Sequence, residues 1–156
     1  MSPVEYELSS SVVPGSSSFS LALPASVLGV RTTFTFSLEA VLTTGHSGVA
    51  TVQISTNGPP NPGAFSISPI NGTEFSSLFE WRAGSWEDPD LPITYAFGYV
   101  EGYQISVTQM RSESNTASRV LPAGDATSNF ERLVGVRVYD SLDAEVTETA
   151  TVHVMR

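Results

Sequence analysis

The sequence predicts an all-β protein made of tandem immunoglobulin-like or fibronectin-III-like antiparallel β-sandwich modules. Apolar and polar residues alternate with period two along most of the chain, turn-forming clusters separate the alternating runs, and a stretch about one immunoglobulin domain long repeats internally. Composition agrees: 40% of residues are hydrophobic and 15% charged, and Ser and Thr supply roughly a quarter, a balance that suits strands with one wet face.

Taken in order, Phe19-Ser-Leu-Ala-Leu23 and residues Thr32 to Val41 place apolar side chains on one face and Ser, Thr or Glu on the other. The same pattern predicts strands over Val49–Ser55, Ala64–Ser68, Ile93–Val100, Tyr103–Met110, Leu133–Tyr139 and Glu145–Val154. Between them stand Pro14-Gly15, Gly45-His-Ser-Gly48, Asn71-Gly72, Pro122-Ala-Gly124 and Asp140-Ser-Leu-Asp143, residues that supply turn dihedrals or hydrogen-bond their own backbone. No segment has the period of an amphipathic helix, so the strands are expected to pack sheet on sheet.

The repeat sets the domain organisation. Leu23-Pro24-Ala25, an alternating strand and Ala50-Thr51-Val52-Gln53-Ile54 recur as Leu121-Pro122-Ala123, another such strand and Ala150-Thr151-Val152-His153-Val154. The spacing predicts a complete module over 64–156, a Pro/Gly linker at 58–63, and over 1–57 only the C-terminal half of a module. That half holds about four strands where about seven close a sandwich, so one sheet keeps an uncovered apolar face and unpaired edges. Three origins account for it: excision from a longer array, loss of a segment, or completion by strands from another subunit. On the last of these, Tyr6, Leu8, Phe19 and Leu21 are candidate assembly residues.

The formal net charge is −9 and the pI about 4.4, with no Lys/Arg cluster to displace phosphate counterions, so nucleic acid is not an expected partner. No apolar run is long enough to cross a bilayer as a helix, and none is expected to insert. The chain has no cysteine, which excludes disulfides and thiolate metal sites. Its opening run lacks the basic start and apolar stretch of a secretory leader, as in a mature or excised segment. Asn71-Gly72-Thr73 is an N-glycosylation acceptor, and glycans are candidate partners or modifications.

Several blocks together are similar to one family. Asn57-Gly-Pro-Pro-Asn-Pro-Gly63, Phe65-Ser-Ile-Ser-Pro69, Gly72-Thr73 and Trp86-Glu-Asp-Pro-Asp-Leu-Pro-Ile-Thr-Tyr-Ala-Phe-Gly-Tyr99 resemble, in this order, the receptor-for-egg-jelly (REJ) region of polycystin-type receptors and related protist and algal proteins. Leu121-Pro-Ala-Gly124 and Val136-Arg-Val-Tyr-Asp140 extend the resemblance over most of the chain. It implies an ectodomain of immunoglobulin-like modules at the cell surface or in extracellular matrix, and it implies no enzyme.

Two constellations remain. Trp86, Tyr95, Phe97 and Tyr99 form the aromatic block; in an alternating strand Tyr95, Phe97 and Tyr99 share a face, which reads as core in preference to a sugar-stacking platform. Asp88, Asp90 and Asp140 crowd two turns that a sandwich can bring to one end. They are candidate calcium ligands, set against the competing role of Asx turns to their own backbone. His46 and His153 are isolated in sequence, no catalytic motif is present, and no cofactor is expected apart from calcium at the acidic turns. The sequence therefore predicts an extracellular structural or adhesive protein that assembles with copies of itself or with neighbouring immunoglobulin-like modules, fibrous if strand complementation propagates. The alternative is a glycan- or calcium-binding module of a larger cell-surface receptor.

Overall fold

The computed structural model describes residues 8–13, 16–24, 26–102 and 104–156, with residues 8–20 described by their backbone. The chain divides into two units, Met1–Asn57 and Gly58–Arg156.

In the first unit the strands are β1 (Leu8–Val13), β2 (Ser16–Leu21), β3 (Thr33–Val41) and β4 (Ser47–Ser55). They form two separate two-stranded sheets, β1 with β2 and β3 with β4, both antiparallel. Over residues 33–38 and 50–55 the β3–β4 ribbon is two-faced because both strands alternate in register, while Val41 and Val49 lie exposed on its polar side. Phe34 opposes Ile54, Phe36 opposes Val52 and Leu38 opposes Ala50, while Thr33, Thr35 and Ser37 oppose Ser55, Gln53 and Thr51 on the other side. Hydroxyl and amide contacts, Thr33 with Ser55 at 2.9 Å and Gln53 Nε2 donating to Thr35 at 3.3 Å, tie the polar face.

The second unit comprises β5 (Ala64–Ser68), β6 (Asn71–Thr73), β7 (Leu78–Gly84), β8 (Thr94–Glu101), β9 (Gln104–Ser112), β10 (Thr116–Val120), β11 (Glu131–Tyr139) and β12 (Glu145–Met155). A three-stranded sheet in the order β10-β7-β5 faces a five-stranded sheet in the order β6-β12-β11-β8-β9. Every pairing is antiparallel except β12 with β6, which is parallel. Phe79, Trp81 and Ala83 alternate inward along β7 and meet Phe97, Val134, Val136, Val138, Val152 and Val154 from the opposite sheet in one buried cluster. Phe97 joins the layers: its ring lies 6.0 Å from Trp81 and 6.3 Å from Phe65, centroid to centroid. On the outer face Gly98 is required, because a Cβ there would meet the carbonyl oxygen of Ser106 at 2.2 Å. The Pro-rich run lies with this unit, where Pro60 is fully buried and the Asn61 amide donates to the Glu87 carbonyl at 2.9 Å.

The sequence repeat has a structural counterpart sharper than its motifs. Thr33 and Val41 bound β3 as Glu131 and Tyr139 bound β11, each pair 98 residues apart, and Ser47 opens β4 as Glu145, again 98 residues on, opens β12. The register agrees as well, since Phe36 opposes Val52 as Val134 opposes Ala150. Both tight turns close alike, Leu42 N–H donating to His46 at 2.8 Å and Asp140 N–H to Ala144 at 3.1 Å. Their left-handed residues coincide too, Gly45 at φ 84° with Asp143 at φ 67°, and Arg31 at φ 52° with Asn129 at φ 54°. Ala50 thus corresponds to Glu148, and the similar Ala-Thr-Val motifs stand two residues out of structural register. A two-residue shift keeps every side chain on its face, so the mismatch is silent in the alternation.

Candidate functional site

The matched hairpins differ in what covers them. On β11 and β12 the inward residues Val134, Val136, Val138 and Val152 have no accessible surface, sealed by the opposite sheet. Their counterparts on β3 and β4 are not sealed: Leu38 is 43% exposed and Ile54 47%, Ala40 is exposed and Phe36 half-buried. No described side chain from 21 to 57 is buried. The apolar face borders a cleft of about 350 Å³ lined by Leu21, Phe36, Leu38, Ala50 and Val52. A two-stranded ribbon by itself is marginal in water. Among the described side chains of the first unit, Leu38, Val52 and Ile54 gather on the β3–β4 face. Of the expected assembly residues, Leu21 lines its cleft, Leu8 and Phe19 lie on β1 and β2 where only the backbone is described, and Tyr6 lies outside the described residues. The signal for Phe36, Leu38, Val52 and Ile54 was present in the alternation, but the register that puts them on one ribbon came only with the fold.

The second unit gathers Asp88, Asp90 and Asp140 so that one carboxylate oxygen from each lies within 4.8 Å of the others. Asp140 follows β11 with no exposed surface, and its Oδ1 accepts from the amides of Leu142 and Ala144, both at 2.8 Å. Asp88 Oδ1 accepts from the Asp90 amide at 2.8 Å, and the Asp90 carbonyl accepts from Ser141 N–H at 3.0 Å, which ties the two turns together. These are Asx-type turns, and they explain why carboxylates stand at these positions. Arg111 on β9, which sequence reasoning did not single out, ties the Asp140 turn to β9. Its guanidinium donates to the Asp140 carbonyl at 2.8 Å, pairs with Asp143, and lies 4.4 Å from the centroid of the Tyr139 ring. Nothing in the local sequence marks Arg111, because its partners are a β11 terminus and a turn far along the chain.

The aromatic block is interior. Trp86 is 7% exposed, Tyr95 8% and Phe97 0%, Tyr99 packs against the same cluster, and Trp81 is 1% exposed. Neither indole is available as a stacking platform. Burial raises the Tyr95 hydroxyl above its ordinary pKa of 10.0.

Asn71, expected in a turn, instead begins β6, the short edge strand paired in parallel with β12 through His153, Val154 and Met155. Its side chain and that of Thr73 are exposed. Gly72 between them is tightly confined: a Cβ would meet Ser77 at 2.6 Å and Phe79 at 2.7 Å. His153 Nδ1 lies 3.3 Å from the Asn129 carbonyl oxygen, and His46 sits in the β3–β4 turn of the other unit.

Compared with known families, the chain matches the model of the REJ domain over residues 2–156. No curated protein matches it significantly.

Proposed function

The chain belongs to the REJ domain family, and from that membership we propose that it is a non-catalytic, extracellular structural or adhesive module that associates through the open face of its first unit. REJ domains occur in the extracellular regions of polycystin-type receptors, which supports the location. The observation that carries the role is the exposure of Leu38 and Ile54, whose register-matched counterparts Val136 and Val152 are sealed. Burying that face releases about 25 cal/mol per Å² of apolar surface, and strand edges add main-chain hydrogen bonds. The partners are copies of this chain or neighbouring immunoglobulin-like modules.

Light scattering behind size exclusion tests the reading. Association that strengthens with concentration is expected, and a strictly monomeric, stable 16.6 kDa species at high concentration removes it.

A second reading is calcium binding by the second unit. The convergence of Asp88, Asp90 and Asp140 within 4.8 Å favours it, since a divalent cation relieves their mutual repulsion and calcium takes carboxylate and carbonyl oxygens. Calcium titration by calorimetry decides between a cation site and turns stabilised by backbone amides alone. Asn71 is proposed as an N-glycan acceptor on the grounds of its sequon and exposure.

A further inference from the structure

The second unit has an outer face of its own, on the three-stranded sheet. Because Phe79, Trp81 and Ala83 point into the core, the alternate residues of β7 point out, and the neighbouring strands follow in register. Two cross-strand rows result: Ser66, Arg82 and Thr116 in one, Ser68, Glu80 and Ser118 in the next. All six side chains are exposed, and they line a cleft of about 490 Å³. The two charges at its centre are unpaired: among the described residues neither Glu80 nor Arg82 has an ion-pair partner. One end of the same face is raised and the other hollow. Leu78 is 54% exposed at the start of β7, while at its far end a Cβ on Gly84 would meet nothing within 4 Å.

We propose that this face docks on itself: a second copy of the chain covers it sheet to sheet, related by a two-fold axis that lies in the sheet plane and crosses the strands at Trp81. That rotation reverses the strands and exchanges residues equally far on either side of Trp81. Glu80 then lies over Arg82 of the other copy and Arg82 over its Glu80, while Leu78 stands over the hollow at Gly84 and Ser66 over Ser68. Opposite charges and raised against hollow thus follow from one operation, as an isologous interface requires. The other in-plane axis, along the strands, sets Glu80 over Glu80 and Arg82 over Arg82, which like charges oppose. Sheets packed face to face stand about 10 Å apart, a gap that an extended Glu and Arg span end to end. Three strands about 4.8 Å apart and four rows about 7 Å apart cover roughly 400 Å² per copy, half of the about 800 Å² of a standard interface. The contact is therefore weak and salt-sensitive, and it adds avidity where another surface already holds two chains together. It does not depend on the open face of the first unit.

Sedimentation velocity of the full chain over a concentration series tests it, with Leu38→Asp as the parent so that the first unit contributes least. A monomer–dimer equilibrium is expected in the parent, weakened about tenfold or more by Glu80→Arg or Arg82→Glu, each of which brings like charges face to face. An equimolar mixture of the two reversed chains is expected to dimerise again, since every facing pair is then opposite in sign. Gly84→Leu, which fills the hollow without meeting its own chain, is expected to weaken dimerisation independently of charge. The thermal transition of the second unit guards against loss of fold, and Glu80→Gln and Arg82→Gln give the same loss, without rescue on mixing, should a reversal disturb it. A parent that stays monomeric at high concentration, dimerisation indifferent to the charge and Gly84 variants, or a mixture no more associated than its components overturns the proposal.

Discussion

Leu38 and Val136 occupy the same position in two hairpins of matching register, yet Val136 has no accessible surface while Leu38 is 43% exposed. The pair isolates the effect of the covering sheet from that of the hairpin itself. Substitution by Asp at each is expected to diverge. Val136→Asp places an unpaired charge in the core and unfolds the second unit, seen as loss of its thermal transition. Leu38→Asp leaves that transition in place and reduces association by light scattering.

Phe97 touches both layers of the sandwich. Phe97→Ala is expected to cost about 3–5 kcal/mol, the range for large buried aromatics, measured by chemical denaturation of the second unit.

Gly98→Ala is expected to destabilise by about 1–3 kcal/mol, because the added methyl meets the Ser106 carbonyl oxygen at 2.2 Å and backbone must move. Gly48→Ala, with nothing within 4 Å of its Cβ position, serves as the neutral comparison.

Tyr95 provides a pH prediction. Burial raises its pKa above 10.0, so the folded state holds the phenol proton more tightly than the unfolded state does. Its contribution is fully present below pH 10 and is lost as pH climbs through the raised folded value. Tyr95→Phe is expected to flatten the alkaline fall in stability, read from denaturation midpoints across that range.

Asn71 is expected to carry an N-glycan when the chain passes through a eukaryotic secretory pathway, as a mass increase removed by glycosidase and absent in both Asn71→Gln and Thr73→Ala. An unmodified wild-type chain from that host would count against it.

Much of this was legible beforehand, for physical reasons that differ by element. β3, β5 and β12 alternate apolar with polar residues, so period two is plain in them, and the inward aromatic row of β8 follows from the same period although both faces of β8 are buried over residues 95–98. The meeting of Asp140 with Asp88 and Asp90 was foreseeable as two acidic turns at one end of a sandwich. β6 was not, since Asn-Gly-Thr carries turn residues and becomes a strand only through its parallel partner β12. β1 is Ser-rich and β10 short and polar, so neither announces a face. β7 does alternate, but its Glu80 and Arg82 break the apolar signal while Phe79 and Trp81 carry the core. The structural offset of the repeat was blurred because Ala-Thr-Val recurs two residues out of register, where alternation alone is blind.

Hydrogen exchange on the full chain, with the β3–β4 amides compared with those of β11–β12 across a concentration series, tests the central claim most directly. If β3–β4 depends on protein from outside its unit, its amides exchange fast in dilute solution and slow markedly on concentration, while β11–β12 stays protected throughout. Equal and concentration-independent protection of both hairpins would contradict it.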